Sequence, residues 1–422
     1  MRLSNAKIMK AVVFTLGCKV NECESDSLIS GLEKLGYEVS DKLVKADLYI
    51  VNTCAVTGEA EKKSRQTASR IKKLNKNAKI IFTGCATQKN PQAFLEKSGE
   101  YVITGTFNKS KILDLIFEKG IHLSPETKEY EEMPVVKPQR KRTYIKVQDG
   151  CNNFCTYCII PYLRGRSRSR SPKSVLDEIK ANNPVEVIIN GINLTSYNYN
   201  GLGLTGLIDS LKSVDARIRL GSLETTVITE EFLLALKGLK NFAPHFHLSL
   251  QSGSNAVLKK MNRKYTREEF IEKVSLIRKH FDNAGITTDI IVGFPTETEQ
   301  DFLDTLDLVD RVKFTDIHAF PFSKREGTVA YKMPDLNGEI KKTRLNKLLD
   351  KKAELKLEFI NSNINKILDF IPEEEKEGYI AGYTQNYLRA YLPKENKNLN
   401  GIVKVLVKAP FLDGVLVEIV ND

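Results

Sequence analysis

The stretch that decides the fold is YIKVQDGCNNFCTYC, residues 144–158. Its apolar opening, 144–147, predicts a strand. Three cysteines follow in the loop after it, Cys151, Cys155 and Cys158, spaced C-x-x-x-C-x-x-C. Toward the C-terminus, further strand-like runs recur at 185–189, 217–220, 245–250, 288–292 and 316–320. Helical stretches such as 174–181, 230–239, 267–281 and 299–312 lie between them. Six β/α units over residues 144–320 predict a partial (β/α)6 barrel or an open α/β sheet.

Toward the N-terminus, strand-like runs at 11–16, 46–51, 79–82 and 101–103 alternate with helical stretches at 24–35, 59–74 and 91–97. That order predicts a parallel sheet flanked by helices. The polar, Pro-containing segment 121–142 reads as the boundary. A long charged helix is expected at 338–361. After it the chain turns β-branched and aromatic, at 379–392 and 401–420, which predicts a small all-β barrel. The expected α/β architecture therefore has three domains, at 1–125, 137–358 and 360–422.

Composition sets the outer limits. Hydrophobic residues make up 41% and charged residues 28% of 422, which excludes disorder over most of the chain. No apolar run approaches the roughly 18–20 residues of a membrane span. The N-terminus lacks a signal-peptide pattern, so a cytoplasmic, reducing location is expected and the seven cysteines are not read as disulfides. The formal charge is +11, with the surplus in the middle: residues 134–359 carry 36 Lys and Arg against 27 Asp and Glu. Such a balance is compatible with a polyanionic partner such as nucleic acid.

Three cysteines each follow a predicted parallel strand: Cys18, Cys54 and Cys85. Ligand sites gather beyond the carboxyl ends of such strands, so three thiols far apart in sequence can converge there. Cys23 does not share that position and reads as structural. For Cys151, Cys155 and Cys158, zinc would need a fourth ligand, and no histidine lies near in sequence. A three-thiolate site suits an iron–sulfur cube with one iron left open.

GCNNFCTYC resembles the cluster motif of the radical S-adenosylmethionine enzymes. TLGCKVNECES, NTCAVT and FTGC resemble the N-terminal triad of that superfamily's methylthiotransferases, and PYLRGRSRSR, NGINLTSY, HLSLQSGSNAVLKKMNRKYT and DIIVGFPTET agree. TLGCKVNE, CNNFCTYCIIPYLRGRSRS and QSGSNAVLKKMNRKYT are most similar to the MtaB branch, and the C-terminal β module resembles a TRAM domain. The resemblance implies methylthiolation of C2 of N6-threonylcarbamoyladenosine at position 37, beside the tRNA anticodon. It implies two 4Fe–4S clusters. The one on Cys151, Cys155 and Cys158 would bind S-adenosylmethionine and yield a 5′-deoxyadenosyl radical. The one on Cys18, Cys54 and Cys85 would carry or donate sulfur. A purine C2–H is neither acidic nor a leaving group, so a cofactor must supply the difficult step. Expected partners are the tRNA anticodon stem-loop, a flavodoxin- or ferredoxin-type electron donor and a sulfur donor, with no membrane.

Strand-end positions supply the remaining candidates. Asn190, Gly191 and Asn193 follow the second strand of the central series, Glu224 the third, Gln251 and Ser252 the fourth, and Thr296 and Glu297 the fifth. Tyr157, Asn190, Gly191, Glu224, Gln251 and Arg263 are the expected cofactor contacts. His245 and His247 read as core or hydrogen-bonding residues. Arg164, Arg166, Arg168 and Arg170 alternate with small residues, and an extended segment would put all four on one side, for phosphate. Arg140, Lys141, Arg142, Arg263 and Lys264 add to this basic middle. The tail, with Glu373, Glu374 and Glu375 in a row, is mildly acidic; Tyr379, Tyr383, Tyr387, Lys404 and Lys408 are its candidates for RNA stacking and charge. Two rival readings stand beside the main one. The first is the same chemistry on isopentenyl-adenosine of tRNA or on an aspartate of a ribosomal protein. The second is a zinc-stabilised RNA-binding protein without catalysis.

Overall fold

The structure, a computed structural model, describes residues 9–95, 101–133, 141–394 and 399–420. The expected parallel sheet, partial barrel and small β-barrel are all present. In the first, six parallel strands form one sheet, in the order Glu38–Ser40, Lys10–Thr15, Leu48–Thr53, Lys79–Gly84, Tyr101–Thr104, Gly120–His122. The four inner strands match the expectation. The two edge strands, at three residues each, are too short to carry a periodic signal. Every residue of Leu48–Thr53 is buried, as a parallel strand covered on both faces should be.

Two helical expectations shift. The first helix is Lys19–Lys34, starting before residue 24, because its polar Asn21 and Glu24 are buried and blur the amphipathic stripe. The stretch 91–97 gives way to two short helices, Cys85–Lys89 and Gln92–Leu95; positions 96 and 97 lie outside the described residues.

The central part is a partial barrel. Strands Arg142–Asp149, Glu186–Gly191 and Arg217–Leu220 run parallel, and a second parallel set pairs Ser222–Leu223, His245–Leu248, Gly285–Val292 and Asp316–Pro321. The third strand is interrupted at Gly221, so six strand positions result. Ile145, Val147, Ile218, Leu220, Phe246, Leu248, Ile286 and Ile290 belong to the largest apolar cluster, with Phe232, Phe270 and Phe302 from the surrounding helices. Side chains alternate along a strand, so the opposite parity faces the lumen. Those residues are polar: Lys146, Gln148, Asn190, Arg217, Arg219, His247 and Asp289.

The long helix Gly338–Asn363 leads into a closed five-stranded barrel, ordered Ile367–Lys376, Tyr379–Thr384, Arg389–Pro393, Gly414–Ile419, Val403–Phe411. Its turn after Thr384 docks at the amino-terminal end of the partial barrel. Arg219 donates to the Thr384 and Gln385 carbonyls at 3.0 and 3.2 Å, and Tyr387 stacks on His245 with ring centroids 4.1 Å apart. This corrects the RNA-stacking expectation. Tyr387 is stacked between His245 and Tyr383, and Tyr383 lies under the guanidinium groups of Arg142 and Arg389. Tyr379 packs with Tyr391 and Phe411, and Lys408 pairs with Glu418 at 2.9 Å. The acidic run is also partnered: Glu373 with Arg142, Glu374 with Arg389, and Glu375 with Lys394.

Candidate functional site: two cysteine trios at a domain junction

The first trio follows from strand register. Thr15 pairs with Asn52 and Thr53 with Gly84, so Cys18, Cys54 and Cys85 lie just past the carboxyl ends of three adjacent strands. Neighbouring strands are about 4.8 Å apart, which brings the three loops within reach of one inorganic core. Two glycines permit the convergence. Gly17 has φ +106°, and a Cβ there would lie 2.7 Å from the Cys54 Cβ. Gly84 has φ +105°, and a Cβ there would lie 2.5 Å from the Thr53 carbonyl oxygen. Cys54 and Cys85 are buried and Cys18 is exposed. Burial above all, with the nearby Cys85 and Cys18 adding to it, pushes the Cys54 thiol up to about 12.

The second trio sits on the loop after Arg142–Asp149. Gly150, at φ +71°, makes the turn; a Cβ there would collide with the Arg166 carbonyl oxygen at 2.0 Å. The loop is clamped from three sides. Thr156 N–H donates to the Met261 carbonyl at 3.1 Å, Ala330 N–H donates to the Thr156 carbonyl at 2.8 Å, and the Asn262 amide donates to the Asn153 and Phe154 carbonyls. Burial pushes the Cys158 thiol up to about 12, with Cys155 and Cys151 close enough to add to the rise. Burial likewise raises Cys151, against hydrogen bonds from Asn153 N–H at 3.5 Å and the Asn193 amide at 3.8 Å. Arg263 donates to the Cys155 sulfur at 3.2 Å and pairs with Glu224 at 2.9 Å, and Glu224 also accepts from the Asn153 amide at 2.7 Å.

All six are free thiols, and no other residue type is needed to complete a three-thiolate set. That donor set fits an iron–sulfur cube with one iron open to an exogenous ligand. Glu224, half-buried at the loop's edge, is held there by Arg263 and the Asn153 amide. Raised thiols mean that each site must shed protons when it takes metal.

The two sites meet through one side chain. Arg164 ends the short helix Ile160–Arg164 that follows the second trio, and it is fully buried. Its guanidinium donates to Glu24 at 2.9 Å, Asp149 at 3.0 Å and Asn21 at 2.7 Å, and its charge acts to lower the Cys85 thiol against burial. Lys109 and Lys146 complete the cluster around Glu24. Ile159 and Leu163 pack into the apolar core of the N-terminal sheet, beside Phe82 and Cys85.

Comparisons with known proteins agree with this anatomy. The Radical SAM superfamily matches residues 145–309, and the family described as uncharacterized protein family UPF0004 matches residues 10–105. The threonylcarbamoyladenosine tRNA methylthiotransferase MtaB of Bacillus subtilis is 36% identical, covering 98% of both chains. The chain belongs to the radical S-adenosylmethionine methylthiotransferase family. The MtaB of Thermotoga maritima is 38% identical over 90% of this methylthiotransferase and 91% of its own length. A Thermoanaerobacter tRNA-2-methylthio-N(6)-dimethylallyladenosine synthase is also 38% identical, over 85% and 81%. The radical S-adenosylmethionine methyltransferase TsrM of Kitasatospora setae superposes with a TM-score of 0.55 at 16% identity, covering 77% of this chain and 74% of that one; this likeness concerns the fold alone. As a radical SAM enzyme, the methylthiotransferase uses S-adenosylmethionine and an iron–sulfur cluster. Catalytic family membership displaces the zinc-stabilised RNA-binding reading. No helix among the described residues is long and apolar enough to cross a membrane.

The structure corrects several single-residue expectations. The arginine series is not a phosphate-facing row. Arg164 is bound as described; Arg168 is buried beside Asp149 and over the Phe107 ring; Arg170 is buried in pairs with Glu178 and Glu132. Only Arg166 is exposed, with its guanidinium over Phe154. The chain is helical up to Arg164 and the next strand covers only Arg168–Ser169, so the period-two argument lacked a long enough strand. Arg140 lies outside the described residues. Asn190 points at Cys23, 3.9 Å away, and not at the cysteine loop. Gly191 exists for backbone packing: a Cβ there would lie 2.9 Å from the Gln148 side chain. Gln251 adopts φ +71° and is nearly buried, its backbone bridging to Ile290. Glu297 is a buried anchor for Arg344 at 2.6 Å, Ser252 is buried against Thr305, and Thr296 accepts from Lys260. Tyr157, between Cys155 and Cys158 in the loop, packs against the apolar cluster of Met261, Phe294 and Phe322. Cys23 is buried, and burial raises its thiol well above the ordinary value, as a structural cysteine requires. Sequence reasoning missed Asn21, Glu24, Asp149 and Lys146, whose partners come from distant segments.

Proposed function

We propose that this enzyme methylthiolates C2 of N6-threonylcarbamoyladenosine at position 37 of tRNA, in the cytoplasm, with two 4Fe–4S clusters. The observation that carries the reading is the pair of three-cysteine sites on facing domains, joined by Arg164. Cys151, Cys155 and Cys158 would hold one cluster, and Cys18, Cys54 and Cys85 the other. Bound to the first site, S-adenosylmethionine supplies the radical chemistry that an unreactive C2–H needs. The chain's own part is positioning. Glu224 and Tyr157 would hold and cover the cofactor, Arg263 would fix Cys155, and the Glu24–Arg164–Asp149 cluster would set the distance between the sites. An electron donor of flavodoxin or ferredoxin type and a sulfur donor complete the cycle. A second reading, isopentenyl-adenosine as substrate, is favoured by the dimethylallyladenosine synthases among the relatives.

The test is iron and sulfide content with electron paramagnetic resonance on anaerobically purified protein. Alanine at Cys151, Cys155 and Cys158 is expected to abolish S-adenosylmethionine cleavage. Alanine at Cys18, Cys54 and Cys85 should leave abortive cleavage and stop sulfur insertion. Full activity in Cys54→Ala refutes the two-cluster assignment. Nucleoside mass spectrometry of a deletion strain decides the base: persistence of the methylthio form of threonylcarbamoyladenosine, with no paralogue present, defeats the substrate reading.

A further inference from the structure

One polar group in the lumen has no part in the scheme above. His247, Asp289 and His318 sit on three adjacent strands, and their ligand-type atoms all lie within 4.8 Å of one another. Their strand neighbours Phe246, Leu248, Ile290 and Ile317 are in the apolar core, so this parity faces inward. The group is open. His318 is exposed, and the His247 and Asp289 side chains keep 12% and 29% of their accessibility. Yet it is held in shape. Thr287 Oγ1 lies 2.9 Å from His245 Nε2 and 3.0 Å from His247 Nδ1, and His247 Nε2 lies 3.1 Å from an Asp289 oxygen. His245, buried beneath Tyr387, anchors the row from behind.

The three side chains stand together on the lumen-facing parity of adjacent strands. The positive charge of Lys19, directly after Cys18, acts on both Asp289 and His245. Two imidazoles and a carboxylate thus form one polar group within the field of that cation. An apolar group seated here would desolvate them without compensation. A substituent bearing both a hydroxyl and a carboxylate satisfies them: the hydroxyl can donate to Asp289, and the carboxylate can accept from Lys19 and His318.

We propose that Lys19, His247, Asp289 and His318 form the subsite that reads the N6 substituent of the target adenine, selecting one that carries a carboxylate and a hydroxyl. The proposal rests on the substrate reading above. It extends it by assigning the discrimination against an apolar substituent to these four side chains.

The test is equilibrium binding of three synthetic anticodon stem-loops to the reconstituted enzyme. They carry threonylcarbamoyl-adenosine, isopentenyl-adenosine or plain adenosine at position 37. Wild type is expected to favour the threonylcarbamoyl loop over plain adenosine by about tenfold or more, the scale of a charge-assisted hydrogen bond. Lys19→Met and His318→Leu should each bring that ratio near one while plain-adenosine affinity stays in place. If wild type shows the preference and both variants keep it, the substrate reading stands and the subsite is wrong. If wild type favours the isopentenyl loop, both fall. Stoichiometric zinc in equilibrium dialysis of wild type, lost in His247→Ala, would overturn the subsite in favour of a metal centre.

Discussion

Arg164 shows how much one buried charge can organise. It bonds Glu24, Asp149 and Asn21 at once, from two domains, and its charge reaches Cys85. Removing one partner of a buried ion-paired group costs about 3–5 kcal/mol, because the others are left uncompensated. Arg164→Gln should therefore destabilise the junction by that order and alter the paramagnetic signal of the cluster proposed on Cys18, Cys54 and Cys85. The signal of the other cluster should change less. An unaltered thermal midpoint and an unaltered spectrum would remove Arg164 from the junction. Arg166, exposed two residues on, is the contrast. Arg166→Ala should leave stability within about 0.5 kcal/mol and lower the salt slope of tRNA binding by about one or less. An unchanged slope takes Arg166 off the tRNA surface. The sequence displays these arginines as equals in RGRSRSR. What separates them is burial, and their partners Glu24 and Glu178 lie in other elements. No local pattern carries that information.

At the scale of elements, the strands and the cysteines at their ends were legible, because consecutive strands with cysteines at their carboxyl ends imply convergence. The inner strands of both sheets fell where the apolar runs put them. Helix Lys19–Lys34 was less legible, since one of its faces is buried against another domain through polar groups. The glycines beside the cysteines are the least conspicuous part of the trio and the most exacting. Gly84→Ala forces a left-handed φ onto a residue whose Cβ would meet the Thr53 carbonyl at 2.5 Å. The strain alone costs about 1–3 kcal/mol, and relief requires moving Cys85. Iron should fall from the roughly eight atoms per chain of the proposed cluster pair toward about four in reconstituted protein. Gly36→Ala is the control, with φ +88° and no atom within 4 Å of the added Cβ. It should bear the backbone strain and keep its iron. Equal iron content in the two variants would mean that Gly84 has no role in placing Cys85.

At the scale of the whole molecule, the two ends of the chain both close on the central barrel. The N-terminal sheet docks through Arg164, and the C-terminal barrel docks through Arg217 and Arg219 on their shared counter-ion, Glu186. Glu186 is fully buried. Burial works to raise its carboxyl, but Arg219 and Arg217 outweigh that and hold it below the ordinary range. The sign of the pH effect follows. A carboxyl whose folded value lies below its unfolded value of about 4.3 stabilises the assembly above that pH. The stabilisation is lost as pH falls through the depressed folded value. Hydrogen exchange of the turn after Thr384 should therefore, after correction for intrinsic rates, rise only below about pH 4. Glu186→Gln should show the open exchange pattern already at neutral pH, because two buried guanidiniums then lack their counter-ion. The loss is on the order of 3–5 kcal/mol, enough to loosen a barrel otherwise held by carbonyl acceptors, the Arg142–Glu373 pair and the stack of Tyr387 on His245. The cysteine sites lie at the opposite end of the strands, so iron content should hold in the same variant. Slow exchange of that turn in Glu186→Gln would show instead that Tyr387 on His245 and the Arg142–Glu373 pair suffice to hold the barrel in place.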